Sequence, residues 1–502
     1  MSRKQLPKDK FFKKLDRMAL AVTYNDVRLI TGYSEVLPHE VSLVSKFSKN
    51  IELKIPIVSS PMDTVTEYKL AIEIAKLGGI GVIHKNLSME EQAQQVAKVK
   101  RHLNGLIEDP ITVSEQQTIV AILTEKEQFG YSFNTFPVID DNRNLKGILS
   151  HSDFEFCSDL QVLAGEIMTK EVITAPKNTT IEQAYTIMRA QKKKMLPLIE
   201  EGKLVGMYIY SDVKRIMTGN SADYNVDKKD QLRVAAAIGV GTEAMQRLEK
   251  LVAVNVDCIV IDTAHADTKS VIETLKQIKA NYQNLDVIVG NISNPESAKR
   301  LADNGADGIK VGQGPGSICT TRLVAGIGTP QVTAVYNCAK VADQYDIPVC
   351  ADGGIVHSGD IPIAIGAGAY SVMLGRILAG AKESPGEIIF IDGQRFKGYR
   401  GMGSLGAMEA NAGSRARYLQ ATADKRKLVP EGVEGIVPYA GELKDILTQY
   451  IGGLRAGMGY TGAASIDELR QKADFMMSTP SGTAESHPSI TITREAPNYT
   501  SK

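Results

Sequence analysis

The chain has 502 residues, enough for two or three domains, and its 43% hydrophobic and 23% charged residues are ordinary for a globular protein. Its formal net charge is zero, which excludes a bulk electrostatic attraction to nucleic acid or to a membrane surface. No apolar run reaches membrane-spanning length, and the five cysteines are scattered without a CxxC pair. We therefore expect a cytoplasmic protein without disulfides, structural zinc, a membrane partner or a specific nucleic-acid partner.

Eight short apolar runs along the chain are typical of parallel strands that are buried on both faces. They are Ile55–Pro61, Gly79–His84, Val234–Val240, Cys258–Ala264, Asp286–Ile292, Gly308–Gly312, Pro348–Gly354 and Ser371–Arg376. Most are followed by a helical pattern such as Thr268–Asn281 or Asn294–Asn304, and the latter begins with an Asn-Pro pair that is typical of a helix start. Eight alternating β/α units predict a TIM (β/α)8 barrel.

The gap between the second helix, Ser88–Leu103, and the third strand is too long for a barrel loop. Within this gap the chain repeats itself, with Phe136–Ile139 in one copy and Leu196–Ile199 in the other. Asp109 lies at the start of the first copy, and each copy closes with a Ser-Asp pair that ends at Asp153 or Asp212. A tandem repeat predicts a compact module at residues 104–220, inserted between two barrel segments at 1–103 and 221–502.

The chain after the eighth strand is longer than a barrel requires. Lys397–Gly406 is rich in glycine, and a polar segment to Lys427 follows it. A long excursion of this kind next to a catalytic face predicts an active-site lid at about residues 392–430. Further on, Ser489–Thr493 alternates like a short edge strand.

Residues that carry chemistry follow the predicted strands, at the barrel end where active sites lie. Asp262 ends the fourth strand, and a glycine-rich loop after the sixth leads to Cys319, with Arg322 three residues further on. A thiol on such a loop beside a cation is typical of a reactive thiolate. Glycines after strands seven and eight match a barrel phosphate site, beside which Asp352 could hold ribose hydroxyls. The ligand is therefore expected to be a phosphorylated small molecule.

Taken together, these motifs resemble the IMP dehydrogenases of the bacterial type. The motifs that carry the resemblance are Gly314–Arg322, Ala351–Ile355, Met373–Arg376, Tyr399–Ser404, Arg417-Tyr418, Val429–Gly432 and Glu485–His487. The inserted repeat resembles the paired CBS motifs, or Bateman domain, of that family. The resemblance implies NAD-dependent oxidation of IMP to xanthosine 5′-monophosphate through a covalent thioimidate on Cys319, in guanine nucleotide biosynthesis.

The resemblance also implies roles for individual residues. Arg417, with Tyr418 beside it, would activate the water that hydrolyses the thioimidate, and Arg415 is a competitor for this role. The substrate IMP would be held by Ser317, Asp352, Gly353, Gly354, Gly375, Arg376, Tyr399, Arg400, Gly401, Met402, Gly403 and Glu431. NAD would face Asp262, Gly312, Gln313 and Gly314. Potassium would be held by the carbonyls of Gly314, Gly316 and Cys319, together with Glu485, Ser486 and His487 of a neighbouring subunit.

Two other functions and several finer points stay open. GMP reductase shares the barrel, the thiol loop and the phosphate site but generally lacks the insert and the Arg-Tyr pair. A nucleotide-sensing regulator with a vestigial barrel is the third alternative. The family implies a homotetramer, or an octamer of paired tetramers, with purine nucleotides at the CBS module. In that module Lys192–Lys194 could meet nucleotide phosphates or form a solvated helix face, and Asp153 and Asp212 could bind ribose or cap helices.

Overall fold

The computed structural model describes residues 6–103, 106–107, 110–129, 133–218, 221–410, 412–418, 428–493 and 498. Asp109, the predicted insert boundaries Asn104 and Asn220, and residues 419–427 of the predicted lid lie outside the described residues. The chain divides into two compact units. The first, here called the barrel unit, comprises Met1–Lys100 and Asp223–Lys502, and the second, the inserted unit, is Arg101–Ala222.

Eight parallel strands form a closed barrel, which confirms the predicted TIM fold. They are β1 (Ile57–Ser59), β2 (Ile80–Ile83), β3 (Val234–Ile238), β4 (Cys258–Asp262), β5 (Asp286–Ile292), β6 (Gly308–Val311), β7 (Val349–Asp352) and β8 (Ser371–Leu374). Each strand pairs with the next in the chain, and β8 pairs with β1. Cys258 and Val260 belong to one buried cluster, and the side-chain period of two places Asp262 on the same face at the carboxyl end of β4.

Helices pack around the barrel strands. They are α1 (Tyr68–Lys76), α2 (Met89–Lys100), α3 (Gly241–Ala253), α4 (Lys269–Asn281), α5 (Pro295–Asp303), α6 (Gln331–Ala342), α7 (Asp360–Ala367) and α8 (Leu443–Thr461). The predicted start of α5 is confirmed, because the Asn294 side chain accepts a hydrogen bond from the Ser297 amide and Pro295 is the first helical residue. Thr268 caps α4 through the Val271 amide in the same way.

Short elements complete the barrel unit. They are the helices Pro7–Arg17, Thr321–Val324, Arg376–Ala379, Ile466–Lys472 and Pro480–Glu485, and the strand pairs Val27–Leu29 with Phe475–Met477 and Ser45–Lys46 with Glu52–Leu53. The predicted strand Ser489–Thr493 is wrong. These residues are largely exposed and have no strand partner in the described part of the chain, so their alternating pattern has no ladder to join.

The excursion after β8 contains a sheet and two short helices. Its strands Ile388–Ile391, Gln394–Arg400 and Glu434–Pro438 form an antiparallel sheet, and its helices are Leu405–Ala410 and Ala412–Arg417. In none of the described ranges is there a helix long and apolar enough to span a membrane.

The inserted unit repeats one strand arrangement. Val113–Ser114 pairs parallel with Phe136–Ile139, which pairs antiparallel with Leu145–Leu149. The second copy repeats this with Ala175–Pro176, Met195–Glu200 and Lys203–Ile209, to which Leu106–Ile107 adds an edge. The helices are Ile119–Phe129, His151–Glu155, Ala164–Ile167, Ile181–Ala190 and Tyr210–Thr218. Each copy has its own hydrophobic cluster, so the sequence repeat is also a repeat of packing.

Two features of the inserted unit bear on the alternatives left open above. The Asp153 carboxylate accepts hydrogen bonds from the Ser150 amide (2.6 Å) and hydroxyl (2.8 Å), which is the capping arrangement. Lys192, Lys193 and Lys194 are exposed, as a solvated face or a phosphate-binding face requires. This geometry favours a cap at Asp153 and leaves both interpretations of the lysines in place.

Candidate active site

A cleft lies at the carboxyl ends of the barrel strands, and most of the predicted site residues line it. They are Asp262, Gly312–Gly314, Gly316, Ser317, Cys319, Asp352–Gly354, Gly375, Arg376, Tyr399, Gly401, Met402, Arg417, Tyr418 and Glu431. Five predicted residues are not among the cleft residues. Arg400 pairs with Asp63, and Gly403 lies under the Tyr418 ring. Glu485, Ser486 and His487 lie at the end of helix Pro480–Glu485 and are exposed.

The loop that carries Cys319 is braced from behind by Arg322. Its guanidinium donates hydrogen bonds to the carbonyl oxygens of Gln313 (3.3 Å) and Thr329 (2.7 Å). Gly314 has a φ of +80°, and a Cβ there would lie 2.6 Å from the Arg322 Cγ, so only glycine fits. The arginine that the sequence places beside the thiol therefore fixes the shape of the loop through its hydrogen bonds.

A short chain of hydrogen bonds leads away from the thiol. The Cys319 Sγ lies 3.2 Å from the Thr321 hydroxyl, which donates to the Glu431 carboxylate at 2.7 Å. The Glu431 main-chain oxygen also accepts from the Thr320 amide at 2.9 Å. Thr321 was missed by the sequence analysis, although its position two residues after a candidate nucleophile was a usable signal. This chain offers the thiol proton a path to a carboxylate.

A buried lysine joins two of the predicted acidic residues. Lys310 has no exposed surface, and its ammonium lies 2.9 Å from the Asp262 carboxylate and 2.8 Å from that of Asp352. Asn291 donates to the same oxygen of Asp352 at 2.9 Å. A Cβ at Gly290 would lie 2.5 Å from the Lys310 Cβ, so glycine on the neighbouring strand makes room for this side chain. Lys310 holds both carboxylates at the cleft floor, because a buried charge requires paired partners.

Arg417 reaches the same floor from the excursion. Its guanidinium forms an ion pair with the Asp262 carboxylate, and its main-chain oxygen accepts from the Ala264 amide at 3.1 Å. Burial lowers the pKa of Arg417, while the adjacent Tyr418 opposes that shift. Arg415 points elsewhere, because its guanidinium donates to the Met408 carbonyl within the excursion at 2.6 Å. This geometry favours Arg417 over Arg415 as the residue that meets a ligand.

Tyr418 packs tightly on a backbone platform. A Cβ at Gly403 would lie 2.5 Å from the Tyr418 Cζ, so a larger residue there would displace the ring. The Gly403 carbonyl accepts from the Glu431 amide at 3.0 Å, and the Gly401 amide donates to the Val433 carbonyl at 3.0 Å. Burial raises the pKa of Tyr418. These backbone hydrogen bonds join segments 401–403 and 431–433 of the excursion into one surface that faces the Cys319 loop.

The other end of the cleft gathers the predicted phosphate contacts. The Tyr399 hydroxyl lies against Gly375, where a Cβ would approach it to 3.0 Å. Burial raises the pKa of Tyr399 to about 12, although its hydrogen bond with Ser317 opposes the shift. Arg376 begins the short helix after β8. A neutral phenol, a hydroxyl, a glycine backbone and a guanidinium are suitable groups for a phosphate.

Lys85 is a second buried lysine that the sequence analysis missed. Its ammonium donates to the Asp262 main-chain oxygen at 3.0 Å. Burial, with the charge of Arg417 adding to it, lowers the pKa of Lys85 to about 7. The neighbouring His84 is buried with its Nε2 3.7 Å from the Glu67 carboxylate, and His265 lies 3.2 Å from the Gln313 amide nitrogen. Neither histidine is among the cleft residues, but His265 contacts the side chain of Gln313, which is.

Comparison with known proteins covers nearly the whole chain. Residues 21–489 match the family model described as the IMP dehydrogenase / GMP reductase domain. An inosine-5′-monophosphate dehydrogenase from Aquifex aeolicus (strain VF5) is 49% identical over 95% of this chain and 97% of its own length. Another from Halalkalibacterium halodurans is 47% identical over 95% and 98%.

A solved structure is also similar. The crystal structure of a GMP reductase variant from Trypanosoma brucei in complex with guanosine 5′-monophosphate has a TM-score of 0.82 and 37% identity. The match covers 94% of this chain and 98% of that one. A GMP reductase can therefore match this chain along nearly its full length, so the insert does not separate the two activities in the way the sequence analysis assumed.

Proposed function

Since this chain belongs to the IMP dehydrogenase / GMP reductase family, we propose that it is an NAD-dependent oxidoreductase that converts IMP to xanthosine 5′-monophosphate, with Cys319 as its nucleophile. One observation carries this proposal. The Cys319 loop, the Arg417–Asp262 ion pair and the Tyr399–Gly375 phosphate end all line a single cleft. A thiol, a candidate base and an anion site thereby lie within reach of one nucleotide.

The proposed roles follow from the contacts. Ser317, Tyr399, Gly375 and Arg376 hold the phosphate, and Asp352, fixed by Lys310, accepts from the ribose hydroxyls. The Cys319 sulfur bonds to C2 of the base, and loss of hydride from C2 leaves a thioimidate. Water then adds to C2 and the Cys319 sulfur departs, which yields the product. Arg417 is proposed to take the proton of that water.

NAD fits the cleft beside the thiol. Asp262 offers a carboxylate for ribose hydroxyls, and the backbone of Gly312–Gly314 lies in the same wall. When bound, this cofactor accepts the hydride. Because Arg417 is paired with the Asp262 carboxylate, helix Ala412–Arg417 and the cofactor are proposed to use that carboxylate in turn.

A potassium ion fits the carbonyl oxygens of Gly314, Gly316 and Cys319, since neutral backbone oxygens replace the hydration shell of that ion. Among the described residues, no group of three or more His, Cys, Asp or Glu side chains is arranged to hold a metal ion. Glu485–His487 are exposed, as ligands donated to a neighbouring copy would be. We include in the proposal a homotetramer or octamer, purine nucleotides at the inserted unit, its assignment as paired CBS motifs, and a cytoplasmic location.

GMP reductase is the second candidate, favoured by the structural likeness to the Trypanosoma brucei protein. The Arg417-Tyr418 pair at the cleft weighs against it, because a base for water is needed only where an intermediate is hydrolysed. The test follows absorbance of NADH from IMP and NAD⁺ with and without potassium. We expect NADH to form from IMP, at a rate that increases with potassium. The Cys319→Ser variant should show no turnover but should still bind IMP. NADPH-dependent release of ammonia from GMP, without NADH from IMP, would establish the reductase instead.

A further inference from the structure

A reciprocal hydrogen-bonded pair joins the excursion to the barrel. Ser414 of helix Ala412–Arg417 is fully buried, and Asn86 lies in the loop between β2 and α2. The Asn86 side-chain nitrogen donates to the Ser414 hydroxyl at 2.9 Å, and that hydroxyl can donate back to the Asn86 side-chain oxygen at 3.2 Å. Both residues are therefore satisfied by each other.

Asn86 is itself held by an anchored carboxylate. Its side-chain nitrogen also donates to Asp63 at 3.0 Å, and the Arg400 guanidinium contacts both oxygens of Asp63, with a shortest distance of 2.7 Å. Burial alone would raise the pKa of Asp63, but the hydrogen bonds from Arg400 and Asn86 lower it below its usual value. Asp63 thus stays charged and fixes Asn86 in the orientation that Ser414 requires.

The same helix ends at Arg417, whose guanidinium forms an ion pair with the Asp262 carboxylate. Ser414 and Arg417 lie three positions apart and so lie on adjacent parts of one helical face. We propose that Asn86 and Ser414 form a latch that holds this helix docked and thereby sets the fraction of enzyme in its water-activating state. This inference rests on the proposed function. Both are positioning residues, since neither is among the cleft residues.

The latch has a specific kinetic consequence. Loss of the Ser414 hydroxyl removes a buried hydrogen-bonded pair and lowers the ratio of docked to undocked helix by about tenfold. Hydride transfer needs Asp262 free, so the rate of the first NADH burst should be unchanged while the steady-state kcat falls. A non-reducible NAD⁺ analogue competes with the docked helix for Asp262, so its Ki should fall in the variant.

The experiment compares Ser414→Ala, Asn86→Ala and the double variant with the wild-type enzyme. Burst kinetics, steady-state kcat and the Ki of the analogue are measured in each, and the burst reports that the site is folded. Because the two residues act through each other, the double variant should match the single variants rather than multiply their effects. Ser404→Ala is the matched control, since Ser404 is an equally buried serine of the excursion that accepts from the Ala407 amide at the start of its own helix. Its Ki for the analogue should stay at the wild-type value.

Three outcomes separate the latch from the function on which it rests. A wild-type protein that forms no NADH from IMP and NAD⁺ contradicts the proposed function itself. A normal burst in Ser414→Ala, with kcat and the Ki of the analogue both at wild-type values, contradicts the latch alone. A burst slowed as much as kcat also contradicts it, because the pair would then act before hydrolysis.

Discussion

Burial and an ion pair shift the pKa of Arg417 in opposite directions. Burial favours the neutral guanidine, which a base requires, whereas the ion pair with Asp262 favours the charged form. Tyr418, the next residue, adds a phenol that also stabilises the charge. The ion pair with Asp262 thus defines the docked arrangement, in which Arg417 must pass its proton onward before it can act as a base.

Arg417→Ala should leave the NADH burst intact while the steady-state rate falls by roughly 10²-fold or more, because only a group in the hydrolytic step is lost. Arg415→Ala is the matched control and should have a much smaller effect, since Arg415 donates to the Met408 carbonyl. Stopped-flow and steady-state absorbance of NADH measure both. A lost burst in Arg417→Ala would mean that it acts in hydride transfer, and a full effect in Arg415→Ala would move the role two residues.

Single residues show where prediction from the sequence ended. Cys319 and Asp262 were accessible because a glycine-rich loop and the end of an apolar strand mark them. Lys310 was not, although a lysine inside the run Gly308–Val311 is unusual. Its partners Asp262 and Asp352 come from other strands, so only the closed barrel shows how this charge is compensated. Asn86 and Ser414 were missed for the same reason, since they are distant in the chain.

At the scale of an element, strand Gln394–Arg400 is pinned by a buried lysine. The Lys397 ammonium donates to the Ala381 carbonyl (2.9 Å), the Ser384 carbonyl (2.6 Å) and the Ser384 hydroxyl (3.0 Å). Tyr399 lies two residues on and therefore on the same face of the strand. The position of the Tyr399 phenol, which we propose to bind the phosphate, thus depends on an anchor outside the cleft.

Lys397→Met should raise the KM for IMP by about tenfold, because buried carbonyls lose their donor and the strand shifts. The burst rate at saturating IMP should change little, since Cys319 and Arg417 belong to other segments. Gln394→Met, an exposed change at the start of the same strand, is the control and should behave as wild type. The anchor is contradicted by an unchanged KM, or by a burst rate that falls at saturating substrate.

At the scale of the whole molecule, Lys8 ties the amino-terminal helix to the barrel unit. Its ammonium donates to the carbonyls of Gly366 (2.8 Å) and Arg470 (2.6 Å). Burial, aided by the charge of Arg470, lowers the pKa of Lys8 to about 7, against 10.5 for a free lysine. Between these two values the unfolded chain binds the extra proton, so the contribution of Lys8 to stability rises with pH across this window.

Lys8→Met should therefore flatten the rise of stability between pH 7 and pH 9, where one proton corresponds to about 1.4 kcal/mol per pH unit. Thermal unfolding at several pH values measures this through the change in Tm. Lys10→Met, an exposed change on the same helix, should keep the wild-type slope. Lys85 is present in all three proteins and cancels from the comparison. Equal slopes in all three proteins would show that Lys8 is charged in the folded state near pH 7.

An ion-pair cluster lies in the barrel unit near the points in the chain where the inserted unit begins and ends. The Lys100 ammonium, at the end of α2, lies 2.8 Å from the carboxylates of both Asp227 and Asp257. Lys100 and Asp227 flank the insert in sequence, so the two exit points are close within the barrel unit. Every barrel strand finds its partners without residues 101–222.

Replacement of residues 101–222 by a short Gly/Ser linker should therefore leave a folded barrel with activity within a few-fold of the full chain. Any response of activity to ATP or GTP should vanish, because the proposed nucleotide sites are gone. Circular dichroism and NADH assays with and without nucleotides check this. An unfolded or inactive deletion protein would show that the insert is structural.

The eight β/α units of the barrel were easier to predict from the sequence than the segments outside them. Apolar strands alternate regularly with capped helices such as α5, so eight β/α units could be counted from the sequence without knowledge of their contacts. Ser489–Thr493 has the same alternation but lacks a partner among the described residues, which the sequence alone could not reveal. The excursion also required the structure, because its sheet is built from Ile388–Ile391, Gln394–Arg400 and the distant Glu434–Pro438.

The position of the insert also fixes an order of events during protein synthesis. The ribosome completes β1 and β2, then all of Arg101–Ala222, and only afterwards β3 to β8. At about 5 to 20 residues per second, the intervening stretch takes on the order of ten seconds to emerge. Throughout that time β1 and β2 have each other but neither β8 nor β3, so their outer edges stay open to other nascent chains. An insert that folds from its own local contacts shortens the interval in which its own unfolded strands could pair with those edges.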